Sequence, residues 1–407
     1  MPTIVEGYTS TKISQLLMTL IGMKRGSTKH EQLLINTLLV YIFTTVLIAI
    51  SIESSDLFYS RNDLYALTYN APCSFTVTFD FVKLLIFTYK RHELHELHKF
   101  TEDTFWNKDY NELDKAILDK CDTTSAIGMS ILALVSTILA FHYLTGPYWD
   151  ALGTNTTERA LPFPVVFNLP LTVTPYYEIL YGTEAIGAIS IGICSVAFAS
   201  YLFYTCIFVS GFFKILQREL ENVCEVELES VNTKSSYNNN DTMLAYKKLK
   251  KCVIQHQLLI WYLDELEGLF SYILLMLVLC AVIILCFSGF QIILGDGTTK
   301  LHRQILSVEF IMAALAETVL FAFSCNEILT ASAAIGEAAY RCKWYKLPCD
   351  EYGRALRQGM TIMVMRSYKP CSLTVGKFCP MTLEVFTSVL STSLSYFTVL
   401  RSMNESE

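Results

Sequence analysis

Charge is scarce in this 407-residue chain: 17% of it is Asp, Glu, Lys or Arg, where a soluble domain carries about a quarter. Basic residues are outnumbered, 31 against 38 acids for a net charge of −7. That argues against a nucleic-acid binder, whose footprint is a clustered basic surface. The sequence has no Gly-x-Ser-x-Gly elbow, no phosphate-cradling glycine loop and no Cys-x-x-Cys pair. It therefore carries none of the short signatures of a hydrolase, a nucleotide enzyme or a dithiol oxidoreductase, and neither an enzyme nor a cofactor is expected. His92, His95 and His98 stand three apart, whereas a zincin helix spaces its histidines by four. They read as one solvated helix face, and no metal site is expected. A secretory signal is also missing: the first apolar block starts near Leu33, after Lys12, Lys24, Arg25 and Lys29, with no small-residue cleavage site behind it.

Apolar residues fill the space that charge leaves. They make up 52% of the chain, with 25 Phe and 23 Tyr, and they come in blocks too long for globular helices. About 20 apolar residues cross a bilayer as a helix. The uncharged stretches 33–52, 123–149, 185–213 and 268–295 meet that length. Three more are apolar but impure: 64–89 carries Asp80 and Lys83, 305–335 carries Glu309, Glu317 and Glu327, and 378–400 carries Glu384. Charge that faces lipid is expensive, so impure spans turn toward a cavity or a protein interior. Asp80 and Lys83 share a helix face at i, i+3 and can neutralise each other. The reading is an all-α membrane protein with seven transmembrane helices.

Lysine and arginine fix its orientation. Of the 31, 25 lie in the N-terminus and the second, fourth and sixth connections, five lie in the remaining segments, and Lys83 lies within a span. The N-terminus is then cytoplasmic and the C-terminus extracellular, the inverse of a G-protein-coupled receptor. All 13 cysteines fall in spans or cytoplasmic connections, where thiols stay reduced, so no disulfide framework is expected. Of three glycosylation sequons, this topology favours Asn155 over Asn240 and Asn404.

The segments between spans differ in character. Residues 90–120 alternate charge with Leu94, Leu97, Phe100, Phe105 and Trp106, the pattern of an amphipathic helix. Residues 146–182 hold five of the ten prolines and read as an irregular extracellular loop. The flanks of the long polar stretch 214–267 read as helical extensions of the adjoining spans into the cytoplasm, forming an anchor region. No internal repeat of the inverted-transporter kind is visible. The organisation is thus 1–32 cytoplasmic, 33–213 spans one to four, 214–267 cytoplasmic extensions and loop, 268–335 spans five and six, 336–377 cytoplasmic anchor, 378–403 last span, and 404–407 tail. Glu384 opens the last span, either as a carboxylate at a cation pore or as an acid favoured by the helix dipole. Beyond it, helical spacing places Thr392, Ser395, Val399, Ser402 and Met403 on one stripe, hydroxyls first and bulkier groups outermost.

The C-terminal third carries a resemblance. Residues 324–336 and Ala338-Ala339-Tyr340-Arg341-Cys342-Lys343-Trp344-Tyr345-Lys346-Leu347-Pro348 come first. Met365-Arg366-Ser367, Pro370, Leu373-Thr374-Val375-Gly376-Lys377-Phe378, Leu383-Glu384, Phe386 and Ser395-Tyr396-Phe397-Thr398-Val399-Leu400 follow. Together they resemble the insect odorant receptor family. Pro162, Pro170 and Pro175 with Tyr176-Tyr177, and Gln255-His256, also fit.

The resemblance implies an odorant-tuning subunit, multi-pass in the plasma membrane of a sensory neuron. Such a subunit assembles with a shared co-receptor subunit into a heterotetramer and gates a non-selective cation channel lined by the last span. Lipid, a small volatile odorant and permeant cations are then its partners. Thr392, Ser395, Val399, Ser402 and Met403 are the implied pore and gate positions, with Glu384 at the entrance. The short fourth connection and the ending Arg401-Ser402-Met403 depart from the co-receptor pattern. The implied pocket lies in the outer half of the membrane between spans two, three, four and six. There, helical spacing nominates Tyr69, Cys73 and Thr76; Ser136, Leu139, Ala140 and Tyr143; Ile186, Ile189 and Ser190; and Phe310, Ala313, Ala314 and Glu317. A gustatory-type receptor channel of the same fold and a metabotropic receptor are the alternative readings.

Overall fold

The structure, a computed structural model, describes residues 8–26, 28–62, 64–154, 161–162, 173–225, 239–294 and 301–405. In chain order it runs α1 (Thr9–Leu20), α2 (Lys29–Tyr59), α3 (Leu64–Tyr89), α4 (Arg91–Thr101), α5 (Glu112–Thr154), α6 (Tyr176–Glu221) and α7 (Asn239–Leu294). It continues with α8 (Leu301–Ala333), α9 (Ile335–Arg341), α10 (Glu351–Ser367), the strands β1 (Thr374–Val375) and β2 (Cys379–Pro380), and α11 (Leu383–Glu405). Each of the seven predicted spans falls on a long helix. Among the described residues, six of these helices (α2, α3, α5, α6, α7 and α8) are long and apolar enough to cross a membrane. The seventh, α11, spans about 35 Å at 1.5 Å per residue and is rich in serine and threonine.

α6 is the hub. It packs against α5 and α8 most extensively, and also against α1, α2, α7 and α9. Every residue from 197 to 213 is buried, so this turn-after-turn apolar sequence has neighbours on all sides. α7 is the longest helix, at 56 residues, or about 84 Å. The hydrocarbon core is only about 30 Å thick, so α7 projects far past it, and the lower part of α6 runs with it. α10 packs on α7 and on α9, which makes the predicted helical extension a packed layer.

Four details differ from the sequence expectation. α1 docks on α5 and α6 inside what reads as a plain polar terminus: Ser10 donates its backbone N–H (2.8 Å) and hydroxyl (2.5 Å) to Asp122, and the Thr11 hydroxyl donates to the Tyr204 oxygen at 3.1 Å. The segment 90–120 is not one helix. α4 gives way to a π turn over Glu102–Trp106 that buries Phe105 and Trp106, and α5 starts afresh at Glu112. The loop expected from residue 146 starts later, because α5 runs through Pro147 to Thr154. There the Tyr181 hydroxyl donates to the Leu144 carbonyl at 2.7 Å, bonding a carbonyl one turn from the proline. The last span starts at Leu383 rather than 378. Residues 374–380 form a hairpin turning through Gly376 (φ +60°) and Lys377 (φ +66°), and it is pinned to α7 by the Gly376 N–H on the Ser271 carbonyl at 2.9 Å.

All 13 cysteines are free thiols. Asn155 lies outside the described residues.

Candidate functional site

A cavity of about 160 Å³ opens between α3, α5, α6, α7 and α8. An engineered apolar cavity of about that size takes up benzene. Its walls are mostly aliphatic and aromatic: Val77, Phe79, Leu132, Leu139, Ile191, Leu277, Ile284 and Phe310. Small side chains leave the room: Ala140, Ala188, Gly192, Ala281, Ala313 and Ala314 line it from four helices. The spacing on α8 explains the geometry. Phe310, Ala313, Ala314 and Glu317 recur at i, i+3, i+4 and i+7, one face of a helix, and that face looks into the cavity.

Polar groups converge at one end. The Lys83 Nζ lies 2.6 Å from the Asp80 Oδ1 and 3.7 Å from the Glu317 Oε1, and 4.2 Å from the centre of the Phe79 ring. Asp80 and Lys83 are almost wholly buried, at 1% and 3% exposed, while the Glu317 side chain is 22% exposed and lines the cavity. The opposite end holds Cys73 and Tyr143. The Cys73 thiol and the Ser74 hydroxyl donate to the two carboxylate oxygens of Glu53 on α2, at 3.2 and 2.9 Å. Beside Tyr143, His142 pairs with Glu309 at 2.9 Å and with His302 at 3.2 Å, tying α5 to α8 at the cavity rim.

α11 is built differently. It packs on α7 and α8 by a stripe that includes the buried Val389 and Ser393. Phe397 sits over Gly289 so closely that a Cβ there would lie 3.2 Å from its ring. On its other side Glu384, Thr387, Ser388, Ser391, Thr392, Ser395 and Thr398 are exposed on the single chain. Thr387, Ser395 and Thr398 donate their hydroxyl protons back to carbonyls one turn earlier, at 2.8, 2.9 and 2.7 Å. Their oxygen lone pairs are thereby left as acceptors on the open face.

A family model described as the 7tm odorant receptor matches residues 63–394. The chain belongs to that family. Odorant receptor 10 of Aedes albopictus is 29% identical over 249 residues, a match that covers 60% of this chain and 61% of that protein. Odorant receptor 13a of Drosophila melanogaster is 24% identical across 89% of this chain and 86% of its own length. The fold of this chain is that of the olfactory receptor OR5 from Machilis hrabei, solved in complex with eugenol. That structure superposes with a TM-score of 0.80 at 15% identity, covering 97% of each chain. This chain is accordingly an odorant receptor subunit of the plasma membrane, with several membrane-spanning helices, and not an enzyme.

Most residues nominated for the odorant receptor's pocket come together. Cys73, Thr76, Ser136, Leu139, Ala140, Tyr143, Phe310, Ala313, Ala314 and Glu317 line the cavity. Four do not. Tyr69 lies off it, with the Arg303 guanidinium stacked 4.8 Å over its ring. Ile186 and Ile189 point away from it, each 51% exposed, and the Ser190 hydroxyl bonds the Tyr41 hydroxyl on α2 at 3.2 Å. The α6 face that meets the cavity is rotated from the nominated one: it is Ala188, Ile191, Gly192, Ser195 and Ala199. α7 also contributes Leu277, Cys280, Ala281 and Ile284, a fifth wall beyond the four spans expected. The hydroxyl residues of α6, Ser190, Ser195, Ser200, Thr205 and Ser210, step around it and mark no phase, so only the spacing of small residues hints at it. Of the gate positions, Thr392, Ser395 and Val399 lie on the exposed side of α11. Ser402 and Met403 fall in its last turns, and their side chains lie outside the described residues. Glu384 stands exposed in the first turn.

Proposed function

We propose that this chain is an odorant-tuning subunit that joins a co-receptor subunit in a heterotetramer and gates a non-selective cation channel lined by α11. The observation that carries the channel reading is the open face of α11. Hydroxyls and a carboxylate facing hydrocarbon would be costly, and a water-filled path shared with neighbouring subunits removes that cost. Acceptor lone pairs and Glu384 make such a path favour cations over anions. Thr392, Ser395, Val399, Ser402 and Met403 are the proposed pore and gate positions, with the N-terminus cytoplasmic and Glu384 at the inner entrance.

The cavity is the proposed odorant pocket. Its apolar walls suit a small volatile held mainly by dispersion, and the eugenol complex of the Machilis receptor is consistent with that class of ligand. Binding opens the pore only if the open state binds the odorant more tightly than the closed one. α7 and α8 line the cavity and carry α11, so they are the direct mechanical link between the two. The lower ends of α6 and α7 with α9 and α10 form the proposed intersubunit anchor. There Tyr340, Tyr345 and Tyr368 are exposed, as residues covered by a partner would be.

The test is to record currents from cells carrying this chain with a co-receptor across a panel of volatiles. The expected result is a cation current to a subset of the panel that needs both subunits. Silence to the whole panel, with both subunits shown at the surface, contradicts the reading.

A further inference from the structure

We infer that the ligand this cavity prefers is a small primary amine, its ammonium seated against Glu317 and its apolar body against Phe310 and Tyr143. The inference rests on the odorant-pocket reading above and sharpens it to a chemical class. Two carboxyls, Asp80 and Glu317, converge on a single ammonium, that of Lys83, and these three are the charged groups on the cavity wall. The pairing is unequal. Asp80 takes Lys83 at 2.6 Å, whereas Glu317 stands 3.7 Å away, outside hydrogen-bond length.

Lys83 is committed on a third side as well, to the face of Phe79 at 4.2 Å. Glu317 holds Lys83 at the longer distance, and of the three it has the most accessible side chain, at 22% against 1% and 3%, on the α8 face that lines the cavity. A carboxylate among apolar walls is costly without a cation. A ligand ammonium removes that cost with a charge-assisted hydrogen bond, about twice as strong as a neutral one.

A ligand offering only an acceptor, such as a ketone, gains nothing from Glu317 and finds Lys83 occupied. A hydrocarbon leaves the acid as it was. Size follows from α8. Phe310 and Glu317 are seven residues apart, about 10 Å along the axis, and the volume admits about one ring. An amine of one ring and one short arm spans that distance.

The test compares three probes of matched shape, namely benzylamine, benzyl alcohol and toluene, on the chain with its co-receptor, by dose–response current. Thermal unfolding of the purified receptor is followed in parallel. Benzylamine should act at least tenfold more potently than either neutral probe and raise the unfolding midpoint most. Glu317→Gln should erase at least tenfold of the amine-to-alcohol ratio, and Glu317→Asp should retain most of it. If Glu317→Gln fails to reach the surface, the wild-type ranking and Glu317→Asp decide the matter. Equal or better potency for the alcohol or toluene, or an unchanged ratio in Glu317→Gln, overturns the inference and leaves the channel reading standing. Amine-selective stabilisation without current supports the inference and counts against the channel reading. No current and no stabilisation by any probe overturns the inference.

Discussion

Glycine residues show at the finest scale how closely this bundle is packed. A Cβ on Gly128 of α5 would lie 2.1 Å from the Phe203 ring of α6, so the two helices approach where a side chain is missing. Phe203 is itself fully buried in the stretch of α6 with neighbours on every side, and its ring cannot swing away freely. Gly182, near the start of α6, has nothing within 4 Å of where its Cβ would be. Gly128→Ala should therefore destabilise the receptor by about 1–3 kcal/mol, the usual cost of overpacking. Gly182→Ala should be neutral or slightly stabilising through helix propensity. Thermal midpoints of the two purified variants check this, and the reverse order would contradict the packing described. The charged residues carry a different message at the same scale. Asp80, Lys83 and Glu317 stand out in the sequence as impurities in apolar spans, and all three meet at one end of the cavity. They were legible because a charge in a membrane span has few places to go.

Helices were legible from the sequence according to how strongly their composition contrasts with their surroundings. The long apolar runs give α2, α3, α5, α6, α7 and α8 directly. α1 was not legible, because three of the four residues it buries are Ser10, Thr11 and Ser14, with Met18 the fourth. With Ser10 and Thr11 bonded to Asp122 and Tyr204, the apolar part of its pattern is short: Ile13, Leu17 and Met18. The rotation of α6 about its axis was hidden for another reason: Ser190, Ser195, Ser200, Thr205 and Ser210 recur every five residues, so its few hydroxyls step around the helix and mark no side.

The cap of α10 is an element-scale device with a measurable signature. Asp350 accepts from the Gly353 N–H at 2.6 Å and from the Thr242 hydroxyl on α7 at 2.7 Å, closing the helix N-terminus and tying it to α7. The Thr242 hydroxyl first, and the Gly353 amide second, hold its carboxyl below the usual carboxylate range. A depressed folded-state value means that the folded protein resists protonation. The stabilising contribution is then fully present above the ordinary Asp pKa of about 3.9, and it is lost as pH falls through the lower folded value. Hydrogen-exchange protection of the α10 amides, corrected for the intrinsic rate, should hold from neutral pH to about 5 and decline below about 4. Asp350→Asn should lack that decline, and an identical acid profile in the variant would show that another group is responsible.

At the scale of the whole molecule, two regions do different work and share their supports. The cavity sits among α3, α5, α6, α7 and α8, while α11 leans mainly on α7 and α8, so any change in the spacing of those two helices reaches both. The hairpin at 374–380 fixes where α11 begins, through the Gly376 and Lys377 amides on Ser271 of α7. α11 carries Thr387, Ser388, Ser391, Thr392, Ser395 and Thr398, and this polar side is open. The central claim is that this side faces ions in the assembled channel. Single substitutions to cysteine along α11, probed with a charged thiol reagent during ligand-evoked current, test it most directly. Thr392→Cys, Ser395→Cys and Val399→Cys should be modified and should block the current, whereas Val389→Cys and Ser393→Cys, on the face packed against the bundle, should not. Block confined to Val389→Cys and Ser393→Cys, or equal along every face, would contradict the account.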